Sequence, residues 1–271
     1  MIVAAVQTRP EFGRPGVNTM RALELMGSTP ADLYVLPELF SSGYFFQSRA
    51  EALTAGESLD GPVVTALKDF SHRQRCTIHA GIPERDGDAI YNSSVLVHHG
   101  ALVAVYRKIH LFNTEKNCFD PGDRAPAVVD AGARLGLMIC FDWIFPELAR
   151  SLALQGAQIL CHPANLVLAW CQKAMVIRSV ENRVFSILCN RVGSEERNGV
   201  SLTFTGGSEI VHPRGEILAS ASADAEELIW AVIDPTDADE KMITSTNHVL
   251  NDRRPEFYFG APGEFSADPS R

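Results

Sequence analysis

The chain has 271 residues, 46% hydrophobic and 21% charged, with a formal net charge of −9. That length can bury most of its apolar surface without disulfide or metal staples, and the acidic balance, with no basic run, argues against a nucleic-acid surface. No apolar stretch approaches the roughly 18 residues that span a bilayer, and the N-terminus lacks a basic n-region, so a cytoplasmic protein that does not engage membranes is expected.

In chain order, Ile2–Val6 reads as a first strand, since its apolar run stops at Gln7. Leu33–Leu36 is a second short β-rich run. Pro62 to Arg75 carries Val63, Val64, Leu67 and Phe70 on one face with Pro62 at a first helical position, which predicts a helix. Thr77–Ile82 follows as a strand. Ser93–Val97 and Leu102–Tyr106, separated by His98-His99-Gly100-Ala101, form a predicted hairpin. Leu135–Cys140 is a strand running into a turn. Pro146 to Gln155 is helical, with Leu148 and Leu152 four apart and Gly156 as terminator. Gln158–Cys161 and Val184–Leu188 are strands, with a third helix over Trp170 to Asn182 between them. Ser208–Val211 and Leu228–Ile233 complete the set.

Strands alternating with helices predict an α/β fold, and the hairpin makes its sheets mixed. The absence of a linker, repeat or low-complexity tract predicts one domain over residues 1–258 with a C-terminal tail at 259–271, extended after Arg253.

Six cysteines are scattered through the chain, none in a C-x-x-C pair, so free buried thiols are the default. Cys140 differs from the rest. An apolar strand runs into it, and Phe141-Asp142-Trp143 make a short turn before the helix at Pro146. A nucleophile there is held on a rigid element, and the Phe141 N–H is the first candidate donor to an oxyanion. Leu36-Pro37-Glu38-Leu39-Phe40 places a carboxylate in apolar company after a strand, which favours its protonated form and makes it a better base. Tyr106-Arg107-Lys108-Ile109-His110 again ends a strand in a charge. Alone, the Cys140 segment fits a buried inert thiol equally well, and the other two are read more readily as a surface carboxylate and a solvated lysine.

Together the segments LPELF, YRKIHLF and ICFDWIFPE resemble the Glu–Lys–Cys signatures of the nitrilase superfamily, the carbon–nitrogen hydrolases. Accessory stretches agree: Asn92-Ser93-Ser94, Glu115 to Gly122, His162-Pro163-Ala164-Asn165, Glu181 to Phe185, Asn190 to Gly193 and Asn251 to Pro255. The resemblance covers nearly the whole chain. It implies a four-layer α-β-β-α sandwich with mixed sheets and a homodimer, in some members assembled further. It maps the general base and acid onto Glu38, the lysine onto Lys108, the nucleophile onto Cys140 and a second carboxylate onto Glu115.

This reading needs no cofactor and no metal. The histidines show no ligand spacing, and Cys161-His162 fits no zinc pattern. A substrate pocket is expected from Tyr44, Phe141, Trp143 and Asn165. Arg178 and Arg183 are read as helix-face ion pairs or subunit contacts in preference to anchors for a substrate carboxylate. The Phe141-Asp142-Trp143 turn is more like amidase and carbamoyl-hydrolase branches than the Cys-Trp-Glu turn usual in nitrilases. A small aliphatic amide is therefore the expected substrate, with a nitrile or an N-carbamoyl compound as alternative. A non-catalytic scaffold on the same fold would not need all three of Glu38, Lys108 and Cys140.

Overall fold

The computed structural model describes residues 1–258. The tail expected at 259–271 lies outside them. Five strands of the N-terminal half come first: β1 (Ile2–Gln7), β2 (Leu33–Val35), β3 (Thr77–Asp86), β4 (Ala89–His98) and β5 (Ala101–Arg107). The second half supplies β6 (Val128–Asp130), β7 (Arg134–Leu137), β8 (Ile159–Pro163), β9 (Phe185–Cys189), the hairpin β10 (Ser194–Arg197) and β11 (Val200–Thr203), β12 (Glu209–Val211), β13 (Ile217–Ser220) and β14 (Glu227–Val232). Two six-stranded sheets result, ordered β14-β1-β2-β3-β4-β5 and β13-β12-β9-β8-β7-β6.

The sheets share one plan. Each has three parallel strands, β1-β2-β3 or β7-β8-β9, extended by antiparallel partners on both sides. Helices make the parallel crossovers, as parallel pairing requires. These are α1 (Pro15–Gly27), α2 (Arg49–Ala55) and α3 (Pro62–Gln74) in the first half, and α4 (Pro146–Leu154) and α5 (Cys171–Asn182) in the second.

Strand periodicity sorts the core into layers. Val3, Ala5, Leu33 and Val35 face inward and pack with Leu135, Leu137, Ile159 and Ile187 of the other sheet. Their alternates Ala4, Val6, Tyr34 and Leu36 face outward, against Ala22 and Met26 of α1 and Val63, Val64, Leu67 and Phe70 of α3. Each fully buried Leu, Val or Phe contributes about 1.5–3 kcal/mol relative to exposure. The second sheet is covered by Leu148 and Leu152 of α4 and Met175 of α5. The expected α-β-β-α sandwich is present. No helix among the described residues is long and apolar enough to cross a membrane.

Several elements differ from expectation. Helix α1 has a buried face of Asn18, Thr19, Ala22 and Met26, too polar to read as an apolar stripe. Asn18 belongs there because its side chain bonds Glu11 and Ser41 backbone. The predicted strand Leu135–Cys140 ends at Leu137, and Cys140 opens a 3-10 turn. The segment after Arg253 holds a short 3-10 turn, Pro255–Phe257, where an extended tail is expected.

Glu209 on β12 is 5% exposed, lies beside Cys171 at the start of α5, and leaves one carboxylate oxygen unpartnered among the described residues. Burial pushes its carboxyl up to about 8. With a folded value above the unfolded one of about 4.5, its stabilising contribution is full below pH 4.5 and is lost as pH rises through 8. The loss grows by about 1.4 kcal/mol per pH unit in that window. Glu209→Gln is expected to raise the melting temperature by several degrees at pH 8 and to leave it unchanged at pH 4.5, read by thermal denaturation.

Candidate active site

The site forms where strand ends of both sheets meet. Glu38 follows β2, Lys108 follows β5, Glu115 sits on the 3-10 turn Asn113–Asn117, and Cys140 follows β7. Lys108 and Glu38 are fully buried, while Glu115 and Cys140 are 5% exposed. Lys108 Nζ donates to Glu38 Oε1 at 2.7 Å and to Glu115 Oε1 and Oε2 at 2.9 and 2.8 Å. Its three N–H bonds are thereby all used. Burial alone would lower its pKa, but Glu115 and Glu38 outweigh that and raise it, so Lys108 is a fixed cation.

Two glycines permit this convergence. A Cβ on Gly81 would lie 2.5 Å from the Glu38 Cα, so only glycine lets the Glu38 loop close onto β3, where Phe40 N–H donates to Gly81 O at 3.0 Å. A Cβ on Gly122 would lie 2.2 Å from the Arg107 carbonyl oxygen, and Gly122 N–H bonds Lys108 O at 2.8 Å.

Glu38 accepts on Oε1 from Asn92 Nδ2 as well, at 2.7 Å, while Oε2 has no partner among the described residues. Burial raises the Glu38 pKa against the pull of Lys108. The Cys140 thiol is raised too, by burial and then by Glu38, with Lys108 and the Asn165 backbone N–H pulling the other way. Sulfur and carboxylate thus compete for one proton, and Glu38 Oε2 is a lone pair ready to hold it.

Cys140 has φ +41°, a left-handed backbone that a non-glycine residue adopts at a cost of about 1–3 kcal/mol. A buried polar frame holds it there. Asp142 Oδ2 accepts from Ile139 N–H and from Tyr106 O–H, both at 2.8 Å, and Asp142 Oδ1 pairs with His110 Nδ1 at 2.7 Å. His162 Nε2 donates to Cys140 O at 2.8 Å, which fixes its tautomer because a carbonyl only accepts. Burial lowers the His162 pKa to about 4, so it stays neutral. Sequence reasoning did not single out Asp142, His162, Tyr106 or His110 for a role in the site. The one signal for Asp142 is its place two residues past the cysteine.

The remaining expected residues divide. Phe141, Trp143 and Asn165 line an apolar cleft of about 180 Å³ that opens onto Cys140, together with Phe112, Ile144, Leu166, Val167, Leu168 and Trp170. Asn165 also donates from Nδ2 to the Glu38 carbonyl at 2.8 Å, and its Oδ1 is unpartnered among the described residues. Tyr44 does not line this cleft. Its hydroxyl donates to Glu115 Oε1 at 2.7 Å, because a buried phenol needs a partner. It borders an adjoining chamber of about 440 Å³. Arg178 pairs with Glu181 on its helix face and with the Trp143 carbonyl. Arg183 closes α5 in a left-handed conformation.

A thiol, a carboxylate with a free lone pair and a fixed ammonium in one dry pocket can carry out acyl transfer through sulfur. Residues 2–241 match the family model described as carbon–nitrogen hydrolase. The chain belongs to that family, the nitrilase superfamily. It is 43% identical over 262 residues to a nitrilase of Pyrococcus abyssi, covering 95% of this chain and 98% of that one. A carbon–nitrogen hydrolase from Helicobacter pylori G27 superposes with a TM-score of 0.85 at 28% identity, covering 95% and 96% of the two chains. A mutant of the amidase from Nesterenkonia sp. AN1, showing the result of Michael addition of acrylamide at the active-site cysteine, superposes with a TM-score of 0.78 at 25% identity, covering 94% and 97%. The protein is a carbon–nitrogen hydrolase with an active-site cysteine.

Two substitutions probe the geometry. Gly81→Ala forces the Glu38 backbone to move, and a displacement of about 1 Å is expected to lower kcat roughly 100-fold. Asp142→Asn puts an amide where Ile139 N–H, Tyr106 O–H and His110 need acceptors. It is expected to lower kcat about 10- to 100-fold with KM changed less than about 3-fold, since the cleft walls stay in place. Steady-state ammonia release checks both, and a fall in kcat/KM carried by KM alone contradicts the assignment.

Proposed function

We propose that Cys140 is the nucleophile, Glu38 the general base and acid, Lys108 the charge stabiliser and Glu115 the group that keeps Lys108 charged, in the hydrolysis of a small aliphatic nitrile to its acid and ammonia. The carrying observation is the single cluster of Glu38, Lys108 and Glu115 bonded at 2.7–2.9 Å beside a thiol at the floor of an apolar cleft. The sequence pattern favours an amide. The 43% identity to a nitrilase over almost the whole chain reverses that order.

The proton passes from the Cys140 thiol to Glu38 Oε2. Charge moves from carboxylate to sulfur while the net charge of the cluster stays the same, which limits the electrostatic cost in a dry site. The thiolate adds to the nitrile carbon: the C–S bond forms, one C–N π bond breaks, and nitrogen takes the proton from Glu38. Water, deprotonated by Glu38, adds to the resulting thioimidate. Glu38 returns that proton to nitrogen and then passes on the proton of the new hydroxyl, so that C=O forms as the C–N bond breaks; ammonia leaves, and a thioester remains. A second water, activated in the same way, releases the acid and restores the thiol. As Glu38 is neutralised its hold on Lys108 weakens, and that N–H, with the Phe141 N–H, becomes available to developing negative charge. Loss of one such donor costs about 100- to 1,000-fold in turnover.

An amide is the second reading. The unpartnered acceptors Glu38 Oε2 and Asn165 Oδ1 suit the N–H donors of an amide, and the same thioester route follows from a tetrahedral intermediate. Phe141, Trp143 and Asn165 bind the acyl group in either case. The homodimer implied by the family likeness belongs to this proposal, supported by the exposed apolar side chains Ile177 and Val180 on α5.

One acyl group presented as nitrile and as amide separates the readings. The nitrile is expected to give kcat/KM at least about 10-fold higher, by ammonia release, and a reversed ratio establishes the amide. Cys140→Ala is expected to abolish turnover of both while shifting the melting temperature by no more than about 2 °C. An acyl adduct found by intact mass and peptide mapping on any other cysteine overturns the assignment.

A further inference from the structure

Neither the cleft at Cys140 nor the chamber adjoining it is lined by a charged side chain among the described residues. The first is walled by aromatic and aliphatic groups with Asn165 as its polar side chain apart from the thiol. The second adds Gln47, Asn113, Thr114 and Asn117, all amides or hydroxyls. Phe112, Val167 and Leu168 line both, so these three side chains form the boundary that an acyl chain longer than the first chamber would cross.

The charged groups buried around the site are already engaged. Lys108 spends its three N–H bonds on Glu38 and Glu115. Glu115 also accepts from Tyr44 O–H and Phe112 N–H. Arg178 is held by Glu181 and the Trp143 carbonyl, and the buried Arg191 by Glu195 and the Pro10 carbonyl. An ionised group entering with the substrate would lose its hydration and find no countercharge. A carboxylate would in addition meet a cluster holding two carboxylates against one ammonium.

We propose that the acyl part of the substrate is electroneutral, and that the uncharged boundary at Leu168 enforces this selection by rejecting carboxylate-bearing compounds most strongly and ammonium-bearing ones less so. The inference rests on the same cysteine cleft as the proposed function. It adds a substrate class that the nitrile-or-amide question leaves open.

Alkylation of Cys140 tests it without requiring turnover, so a failure of the hydrolase reading remains separate. Iodoacetamide, iodoacetate and protonated 2-bromoethylamine are compared as second-order rates at Cys140, located by peptide mapping and divided by their rates with a free small thiol. Cys140→Ala serves as the blank, because Cys118 borders the second chamber. Iodoacetate is expected to be at least about 100-fold slower than iodoacetamide after this correction, and the cation about 10-fold slower. Leu168→Arg places a cation on the boundary at a site already 43% exposed, and Trp170→Arg does so on the first wall at a site 61% exposed. Each is expected to raise the ratio of the iodoacetate rate to the iodoacetamide rate at least about 10-fold, while Leu168→Gln leaves the ratio as it was. Parity of iodoacetate with iodoacetamide on the unaltered chain, a cation faster than the neutral reagent, or an unchanged ratio in both folded arginine variants overturns the proposal.

Discussion

One ammonium, sealed from water between two carboxylates, sets the terms for the rest of the molecule. Lys108 is fully buried, and isolated it would shed its proton. Glu38 and Glu115 keep it charged, each bonded to it in a dry place. Lys108 is the member the cluster cannot lose, because without it two buried carboxylates face each other with no countercharge. The three residues come from β2's exit, β5's exit and the turn at Asn113–Asn117, so the first sheet and its loops must be correct to within a fraction of an ångström before the cluster exists. Gly81 and Gly122 are the places where backbone meets backbone to achieve that.

The second sheet brings the thiol to this cluster. Because both sheets follow one plan, Glu38 and Asn165 leave the central parallel strands β2 and β8 at matching places, and Asn165 bonds the Glu38 carbonyl across the interface. Ligand sites in α/β sheets gather at the carboxyl ends of parallel strands for the same topological reason. Backbone strain gathers there as well. Among the described residues, seven other than glycine have positive φ. Arg75 and Arg183 end helices, and His99 and Asn198 sit in hairpin turns. The other three are Leu39, Asn113 and Cys140, each in or beside a loop that carries a member of the site. Strain that survives in a folded protein must be over-determined by its surroundings, and the Asp142 frame does that for Cys140.

Much of this was legible in the primary structure, and the boundary has a physical cause. Residues whose role is local in the chain could be read: strand alternation, the β4–β5 hairpin, the charges that end apolar runs. Residues whose role is made by distant partners could not. Helix α1 buries Asn18, whose fitness depends on contacts with Glu11 and Ser41 backbone and not on an apolar stripe. His162 looks like an ordinary strand-end histidine until the Cys140 carbonyl lies 2.8 Å from it. Tyr44 reads as a pocket residue by its aromatic type, yet its hydroxyl is committed to Glu115. The cleft walls Val167, Leu168 and Trp170 carry no chemistry in sequence and acquire meaning only from what they leave out.

That omission and the buried cluster are two sides of one electrostatic design. Low polarity around the cysteine raises its thiol and the Glu38 carboxyl together, which disfavours a standing thiolate. A standing thiolate would react with any electrophile in solution. With Glu38 as its proposed base, the thiol ionises only as a carbon centre arrives to take the electron pair. The same dryness strengthens Lys108 as charge develops on the substrate, since little water remains to screen it. A wetter, charge-lined cleft would weaken both effects. The proposed selectivity for uncharged acyl groups, enforced at the Leu168 boundary, therefore serves the same dryness that the catalytic cluster needs.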